Sequence, residues 1–294
     1  MSLLLPSRNV LCRNAAGSFL GLVLLATSLW AWGAQHVRSV RIGLPHVIMD
    51  RQYLLVEDWR QYLQSRLHRP VEFVIRGKDS DTLDQLRLQN LDFAWISGYP
   101  YLSLKHKLRL VAVPLYRGRS YFRSYLIVPA DDDQTASLWQ LKGKVFAYVD
   151  PNSTGGYLDP RHELWKAGED ARQFFSKAFF TWSNRAVVEA VAQGYADGGA
   201  VDGFVWDSLA KSRPDLAGQT RVVARSQEYG AAPFIANRSV SRDDYRALQR
   251  ALLGMAADPQ GLALLKRLNL EGFAPGTAQL YDRVAEMMQA LGEE

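Results

Sequence analysis

The order of apolar and polar positions in the first half of the chain predicts strands that alternate with helices. Short runs rich in β-branched and aromatic residues predict buried strands at 40–43, 71–75, 92–96 and 110–115. Apolar residues at 55, 59, 62, 63 and 67 recur with helical spacing, which predicts a helix over 50–67, and a second helix is predicted over 80–89. Such short alternation is typical of a mostly parallel sheet covered by helices.

The same pattern starts again after a polar break at 129–134. A long strand over 121–128 precedes the break. Further strands are predicted at 145–149, 178–181, 199–202, 221–225 and 233–236, with helices at 137–141, 153–167, from 183, and at 205–211. We expect about the last sixty residues to be helical. Two α/β units in one chain predict two lobes, and the cleft between lobes is the default place for a ligand.

The N-terminus has the pattern of a secretory signal. Residues 1–14 carry Arg8 and Arg13 without an acidic residue, and residues 15–32 are continuously apolar or small. Ala31 and Gly33 place small residues where a signal peptidase requires them, so residues 1–33 are predicted to be a signal peptide that is removed before Ala34. An uncleaved membrane anchor is the alternative, because the apolar run approaches the length of a membrane span.

Cysteine content and charge exclude several kinds of site. Cys12 is the single cysteine and lies within the predicted signal, so the mature chain has no disulfide, thiolate nucleophile or cysteine zinc site. Loss of the two signal arginines reduces the formal charge from +5 to +3. That excess does not indicate a nucleic-acid partner, because no dense Lys/Arg stripe accompanies it, but it is compatible with a small anionic ligand.

The segment that follows the strand at 145–149 has the composition of an anion site. Asp150, Pro151 and Asn152 end the strand, and the Ser-Thr-Gly-Gly run at 153–156 then opens a predicted helix. Unpaired amide N–H groups and the positive end of the helix dipole meet at such a helix start. The hydroxyls add donors, and the glycines let a ligand approach the backbone. The alternative interpretation is a simple helix cap.

Three segments together resemble one family. They are Asp150–Pro160, Gln193–Asp202 and Ala224–Tyr229 with Pro233 after it, and residues 93–101 match more loosely. The chain resembles the periplasmic substrate-binding proteins of the phosphonate/phosphite type, which have the type 2 periplasmic binding protein fold. The resemblance implies an α/β protein of two lobes, each a mixed, mostly parallel sheet flanked by helices, with hinge strands between them. We expect lobe 1 at 34–127 and 234–294, and lobe 2 at 128–233.

The same resemblance implies which residues hold the ligand. In that family an oxyanion lies against a Ser/Thr-rich helix start, and the matching positions here are Tyr99, Ser153, Thr154, Gly155, Gly156, Asn184 and Asp202. Gly155 falls where many members have a further serine, and Asn184 falls where several have a histidine. Asn184 would donate a neutral hydrogen bond and would remove a pH-sensitive charge.

Other roles remain open for some of these residues. Tyr99 could pack a turn, and Asp202 could cap the helix that follows it. His46 lies at a strand end of the same sheet, but lone histidines are commonly structural or solvated.

The resemblance implies capture of a small oxyanion (phosphonate, phosphite or phosphate-like) and its delivery to the membrane permease of an ABC transporter. A periplasmic protein that reports its ligand to a sensor kinase is the alternative. Catalysis is not expected, because Gly-x-Ser-x-Gly, His-Glu-x-x-His and Walker-type motifs are absent from the sequence. A periplasmic hydrolase is therefore the least favoured hypothesis. We expect no cofactor, no metal and a monomer.

Overall fold

The computed structural model describes residues 38–45 and 53–293. The predicted signal peptide at 1–33, His46 and the predicted start of the first helix lie outside these residues. Within them, no helix combines the length and the apolar character that crossing a bilayer requires.

Strands and helices alternate through most of the described chain. The strands are Val40–Leu44 (β1), Val71–Ile75 (β2), Phe93–Trp95 (β3), Leu108–Leu115 (β4), Tyr121–Phe122 (β5), Ser124–Pro129 (β6), Val145–Tyr148 (β7), Lys177–Phe180 (β8), Gly198–Asp202 (β9), Thr220–Arg225 (β10), Tyr229–Gly230 (β11), Phe234–Asn237 (β12) and Gly272–Ala274 (β13). The helices are Tyr53–Leu67 (α1), Asp79–Arg87 (α2), Gly98–Ser103 (α3), Asp159–Lys166 (α4), Ala171–Phe174 (α5), Asn184–Ala192 (α6), Gly203–Ser212 (α7), Pro214–Ala217 (α8), Arg242–Leu253 (α9), Pro259–Arg267 (α10) and Asp282–Ala290 (α11). Short 3₁₀ turns lie at Leu138–Leu141, Met255–Ala257 and Ala278–Tyr281.

Two mixed sheets organise these elements. The first sheet has the order β13-β4-β12-β3-β1-β2, and the second has the order β10-β6-β9-β7-β8. Neighbours are parallel where β1 meets β2 and β3, and where β7 meets β8 and β9. The remaining pairs in both sheets are antiparallel. The predicted α/β class, with two sheets flanked by helices, is confirmed.

Each sheet has a hydrophobic core on both faces, because successive side chains of a strand point to opposite sides. On β12, Phe234 and Ala236 pack into the core on one face of the first sheet, and Ile235 packs into the core on the other. On β6, Ile127 packs on one face of the second sheet, whereas Leu126 and Val128 pack on the other. Strands buried on both faces explain the nearly continuous apolar runs that predicted them.

Two predictions about strands were wrong. The strand expected over 121–128 is interrupted at Arg123: β5 pairs with β11 in a separate two-stranded sheet, and β6 belongs to the second sheet. The apolar run does not show this break, because the residues on either side of it, Phe122 and Ser124, are both buried. The last segment of the chain is not wholly helical, since β13 adds a strand to the edge beside β4. Three residues are too few to give a periodic signal.

The chain crosses between the two sheets at two places. The first crossing lies between β5 and β6, and the second lies between β10 and β11. At the first, the Gly203 N–H donates to the Arg123 carbonyl over 2.8 Å, and the Ser226 N–H donates to the Ser124 carbonyl over 2.9 Å. The division into lobes at 127/128 and 233/234 stays a prediction.

Candidate ligand-binding site

The predicted helix start after β7 is a wide turn. Residues Thr154–Leu158 form a π-helical turn, and α4 begins only at Asp159. Ser153 caps the turn, since its Oγ accepts a hydrogen bond of 3.0 Å from the Gly156 N–H. Gly156 is required by close packing, because a Cβ there would lie 2.2 Å from a methyl group of Val149. The cap interpretation is therefore correct for Ser153.

Thr154 joins the second sheet to the first. Its Oγ1 lies 2.7 Å from the Oγ of Ser97 and accepts a hydrogen bond of 2.9 Å from the Tyr99 N–H. The Thr154 N–H donates to the Ser97 Oγ over 3.1 Å. Ser97 begins α3 directly after β3, so the ends of two strands, one from each sheet, meet through these two hydroxyls. Thr154 is almost fully buried.

A cavity of about 100 Å³ lies beside this contact. Its polar wall includes Ser97, Ser153, Asn184 and Asp202. The remaining wall is largely apolar and is formed by Pro45, Leu83, Trp95, Ile96, Pro100, Phe122, Phe204, Val205 and Ala232, with Thr82 as a further polar member. The described residues that line it include no lysine, arginine or histidine. The cavity therefore offers neutral donors and one carboxyl group next to an apolar surface.

Asn184 and Asp202 form one unit of the cavity wall. The Asn184 Oδ1 accepts a hydrogen bond of 2.7 Å from the Asp202 N–H, so the donor of the amide, Nδ2, is the end available to a ligand. The Asp202 Oδ1 accepts from the Phe204 N–H over 2.9 Å and caps α7. Burial raises the pKa of Asp202 to about 7, and hydrogen bonds from the backbone oppose that rise. The cap hypothesis for Asp202 is correct, and the same carboxyl also lines the cavity.

Tyr99 approaches the site with its backbone and not with its hydroxyl group. The hydroxyl donates to the carboxylate of Glu293, which also pairs with Arg161 of α4. The ring packs among apolar residues of the first sheet's core and does not line the cavity. Its role as a ligand contact stays a prediction.

Gly155 lies behind the cavity wall and is held in place by neighbouring side chains. Its carbonyl accepts a hydrogen bond of 2.6 Å from the Ser124 hydroxyl. Three predicted residues, Thr154, Gly155 and Gly156, do not line the cavity, whereas the predicted residues Ser153, Asn184 and Asp202 do. Sequence reasoning singled out no residue of the apolar wall. Ser97 lies in the loosely matching segment 93–101, and a hydroxyl residue just after a predicted strand is the signal that could have identified it.

This arrangement is suited to binding rather than to bond making. The hydroxyls of Ser97 and Ser153 and the amide of Asn184 line the cavity next to a carboxyl whose pKa lies close to neutral pH. Such groups can hold an oxyanion, and the apolar wall can cover a small organic substituent. Among the described residues, no cluster of three or more histidine, cysteine or acidic side chains could hold a metal ion.

Known proteins resemble the chain over most of its length. Residues 45–281 match the sequence profile of the family described as "ABC transporter, phosphonate, periplasmic substrate-binding protein". The phosphate-import protein PhnD of Mycolicibacterium smegmatis is 25% identical over 228 residues, which are 74% of this chain and 69% of the relative.

Two solved structures share the fold. A binding protein component of an ABC phosphonate transporter from Pseudomonas aeruginosa superimposes with a TM-score of 0.78 at 18% identity, covering 85% of each chain. PhnD1 of Prochlorococcus marinus in complex with methylphosphonate gives a TM-score of 0.77 at 20% identity, covering 87% of this chain and 99% of that one.

Proposed function

This chain belongs to the family of periplasmic substrate-binding proteins of phosphonate ABC transporters, and from that premise we propose that it captures a small phosphorus oxyanion and delivers it to such a transporter. The ligand would be a phosphonate, phosphite or phosphate-like anion held in the cavity between the two sheets. We further propose that the protein works as a monomer in the periplasm, exported by residues 1–33.

The observation that carries the proposal is the meeting of two helix starts beside one cavity. Ser97 at the start of α3 and Ser153 before the π-helical turn both line the cavity, and each begins an element whose N–H groups point toward its N-terminal end. The amide of Asn184 lies in the same wall. Donors from both sheets therefore surround one volume, as an oxyanion requires.

We propose that binding relies on neutral donors. A hydrogen bond to a charged oxygen contributes about 1.5–3 kcal/mol when water is excluded. Four or five such bonds, less the cost of ordering and desolvation, are sufficient for roughly micromolar affinity or tighter. The Asp202 carboxylate would accept a hydrogen bond from a protonated or amino-bearing ligand. Because burial raises its pKa to about 7, the carboxyl can also hold a proton near neutral pH and donate it to an anionic oxygen.

The apolar part of the wall favours a ligand that carries carbon. Trp95, Phe122 and Phe204 line the same cavity as its polar groups. An inorganic anion would leave these surfaces uncovered, whereas the methyl group of methylphosphonate would bury apolar area against them. The relative whose structure contains methylphosphonate supports this ligand as the first candidate.

Entry of a ligand requires the two halves to separate. In this structure Thr154 contacts Ser97 directly, and the Tyr116 hydroxyl donates to the Asp207 carboxylate across the same boundary over 2.6 Å. We propose that these contacts open for entry and that closure then excludes water, as in hinge movements of binding proteins.

Family membership favours transport over the alternative of signalling through a sensor kinase. A hydrolase is not favoured either, because the family consists of substrate-binding transport proteins. We found no feature of the described residues that favours either alternative.

Calorimetric titration of the purified protein tests the proposal. The panel would contain methylphosphonate, aminoethylphosphonate, phosphite, phosphate and sulfate, with arsenite as a neutral control. We expect tight binding of one phosphorus oxyanion and weak or absent binding of sulfate and arsenite. If none of the phosphorus compounds binds, the proposal is contradicted and the fold assignment is unaffected. Turnover of a phosphonate ester would instead support a hydrolase.

A further inference from the structure

Tyr229 has a buried hydroxyl group for which the protein supplies no partner. The residue is 2% exposed, and among the described residues no atom forms a hydrogen bond with its Oη. A buried hydroxyl without a partner is costly, and such groups in folded proteins usually meet a ligand or a water molecule. Tyr229 lies on β11, at one of the two places where the chain crosses between the sheets.

The pairing of β11 with β5 places Tyr229 on the cavity side of this small sheet. Tyr229 is the direct antiparallel partner of Phe122. Paired residues of neighbouring strands project their side chains to the same face. Phe122 lines the cavity and Tyr229 does not, so the Tyr229 ring lies on the face that the cavity adjoins, behind the residues of its wall.

Gly155 shows where the Tyr229 hydroxyl ends. A Cβ built on Gly155 would lie 2.2 Å from the Tyr229 Oη and 3.5 Å from the Asp202 Cα. The hydroxyl therefore lies against the backbone of the π-helical turn, next to two elements that contribute Ser153 and Asp202 to the cavity wall. Any side chain at position 155 would collide with it, so the glycine and the tyrosine fit each other.

We propose that the Tyr229 hydroxyl donates a hydrogen bond to the bound oxyanion and so completes the set of donors at the helix start. The inference rests on the proposed function, because it requires an oxyanion in the cavity. Gly155 serves this role by leaving room for the hydroxyl. Burial and the nearby Asp202 carboxyl raise the pKa of the Tyr229 hydroxyl well above its usual value, so the group keeps its proton and acts as a donor.

The first test compares Tyr229→Phe with Tyr148→Phe. Tyr148 is a matched control: it is buried, its hydroxyl also lacks a partner among the described residues, and it lines a different cavity together with Tyr157 and Phe175. We expect Tyr229→Phe to weaken methylphosphonate binding about tenfold to a hundredfold in calorimetry, as loss of one hydrogen bond to a charged group would. Tyr148→Phe should leave the affinity unchanged.

The outcomes separate the two hypotheses. Suppose that the wild-type protein binds methylphosphonate and that Tyr229→Phe binds it with an affinity within about twofold of the wild type. This result would overturn the inference and leave the proposed function standing. Wild-type protein that binds no phosphorus oxyanion would overturn both. A thermal melt of each variant without ligand shows that the fold is intact, and neither variant should melt below the wild type.

A second test removes the hydroxyl from position 229 and places one at position 155 instead. In a Tyr229→Phe background the nearest ring atom to a Cβ at position 155 is Cζ at 3.4 Å, so a small side chain fits there. Gly155→Ser in that background should recover part of the lost affinity, whereas Gly155→Ala should not. Equal affinity of these two double variants would contradict a ligand contact at this position.

Discussion

The hydroxyls of Ser97 and Thr154 lie 2.7 Å apart and connect the carboxyl ends of two strands that belong to different sheets. Each hydroxyl stands where a helix or helical turn begins, and the Tyr99 N–H adds a bond of 2.9 Å to Thr154. A bound oxyanion would compete for these same donors. In the proposed function, the contact would therefore connect closure of the protein to occupation of the cavity.

Replacement of Thr154 by valine should weaken oxyanion binding at least tenfold. The change keeps the shape of the side chain and removes the oxygen that contacts Ser97 and Tyr99. The Thr154 oxygen holds the hydroxyl of Ser97, which lines the cavity, so its loss should disturb a hydrogen bond to the charged ligand and have an effect of about this size. Calorimetric titration with methylphosphonate would measure it.

Thr220→Val is the control for that substitution. Thr220 is buried, and its hydroxyl donates to the Ala217 carbonyl over 2.9 Å outside the cavity wall. We expect Thr220→Val to lower the melting temperature without changing affinity. Equal affinity of Thr154→Val and wild type would exclude Thr154 from the ligand site.

Binding of methylphosphonate should weaken as the pH rises through about 7, which is the raised pKa of Asp202. Below that pH the carboxyl is neutral and can share a proton with the ligand. Above it the carboxylate repels the oxyanion, and the affinity should fall roughly tenfold per pH unit at most. Titrations at about pH 6 and about pH 8 would measure the change.

Asp202→Asn should remove most of that pH dependence, because asparagine still caps α7 but does not ionise. Asp258→Asn is a matched control: Asp258 caps α10 by accepting from the Gly261 N–H over 2.8 Å, and it does not line the cavity. If the affinity of Asp202→Asn depends on pH as strongly as that of the wild type, the titrating group is the ligand or another residue.

Asp159 should make the free energy of unfolding fall between about pH 4 and about pH 7. Burial raises the pKa of its carboxyl from 3.8 to about 7, and the Arg283 guanidinium, 3.8 Å away, offsets this in part. The folded protein therefore holds a proton that the unfolded chain has already lost. The resulting stabilisation is complete below the pKa that Asp159 has in the unfolded chain. It is lost as the pH rises through the pKa that Asp159 has in the folded protein.

Asp159→Asn should consequently flatten the stability profile and raise stability above pH 7 by up to roughly 4 kcal/mol, about three pKa units. Some dependence of the free energy of unfolding on pH should remain in this variant, because the pKa of Asp202 is also raised by burial. Denaturant melts across the pH range would show the effect. Asp170→Asn should leave the slope between about pH 4 and about pH 7 unchanged, because the hydrogen bond from Arg172 lowers the pKa of Asp170 to below that range. A steeper profile in Asp159→Asn would contradict the assignment.

Gly156→Ala should destabilise the fold by about 1–3 kcal/mol, because the new methyl group would overlap the Val149 side chain, 2.2 Å from its Cγ2. Gly77→Ala offers a control, since no atom lies within 4 Å of a Cβ there. Thermal melts of both variants would distinguish them. A Gly156→Ala variant as stable as Gly77→Ala would show that the turn relaxes without cost.

The parts of the site that the sequence predicted are those with a local signal. Ser153 follows a clear strand and precedes a glycine pair, and Asn184 and Asp202 stand next to helix starts. All three line the cavity. Local patterns identify such positions because strand ends and caps depend on neighbouring residues alone.

The remainder depends on packing between distant segments. The apolar wall is formed by residues such as Trp95 on β3 and Phe204 on α7, which are distant in the sequence and have no local signal beyond being apolar. The fit of Gly155 to Tyr229 joins positions that the chain brings together only at its second crossing between sheets. The break at Arg123 was missed because burial on both sides of it hides the change of sheet.

A crystal structure of the protein with methylphosphonate would test the central claim most directly. We predict that the phosphonate oxygens lie within hydrogen-bonding distance of the Ser153–Gly156 turn and the Asn184 amide, with the methyl group against Trp95 or Phe204. A complex in which the ligand occupies another surface, with this cavity empty, would contradict the account.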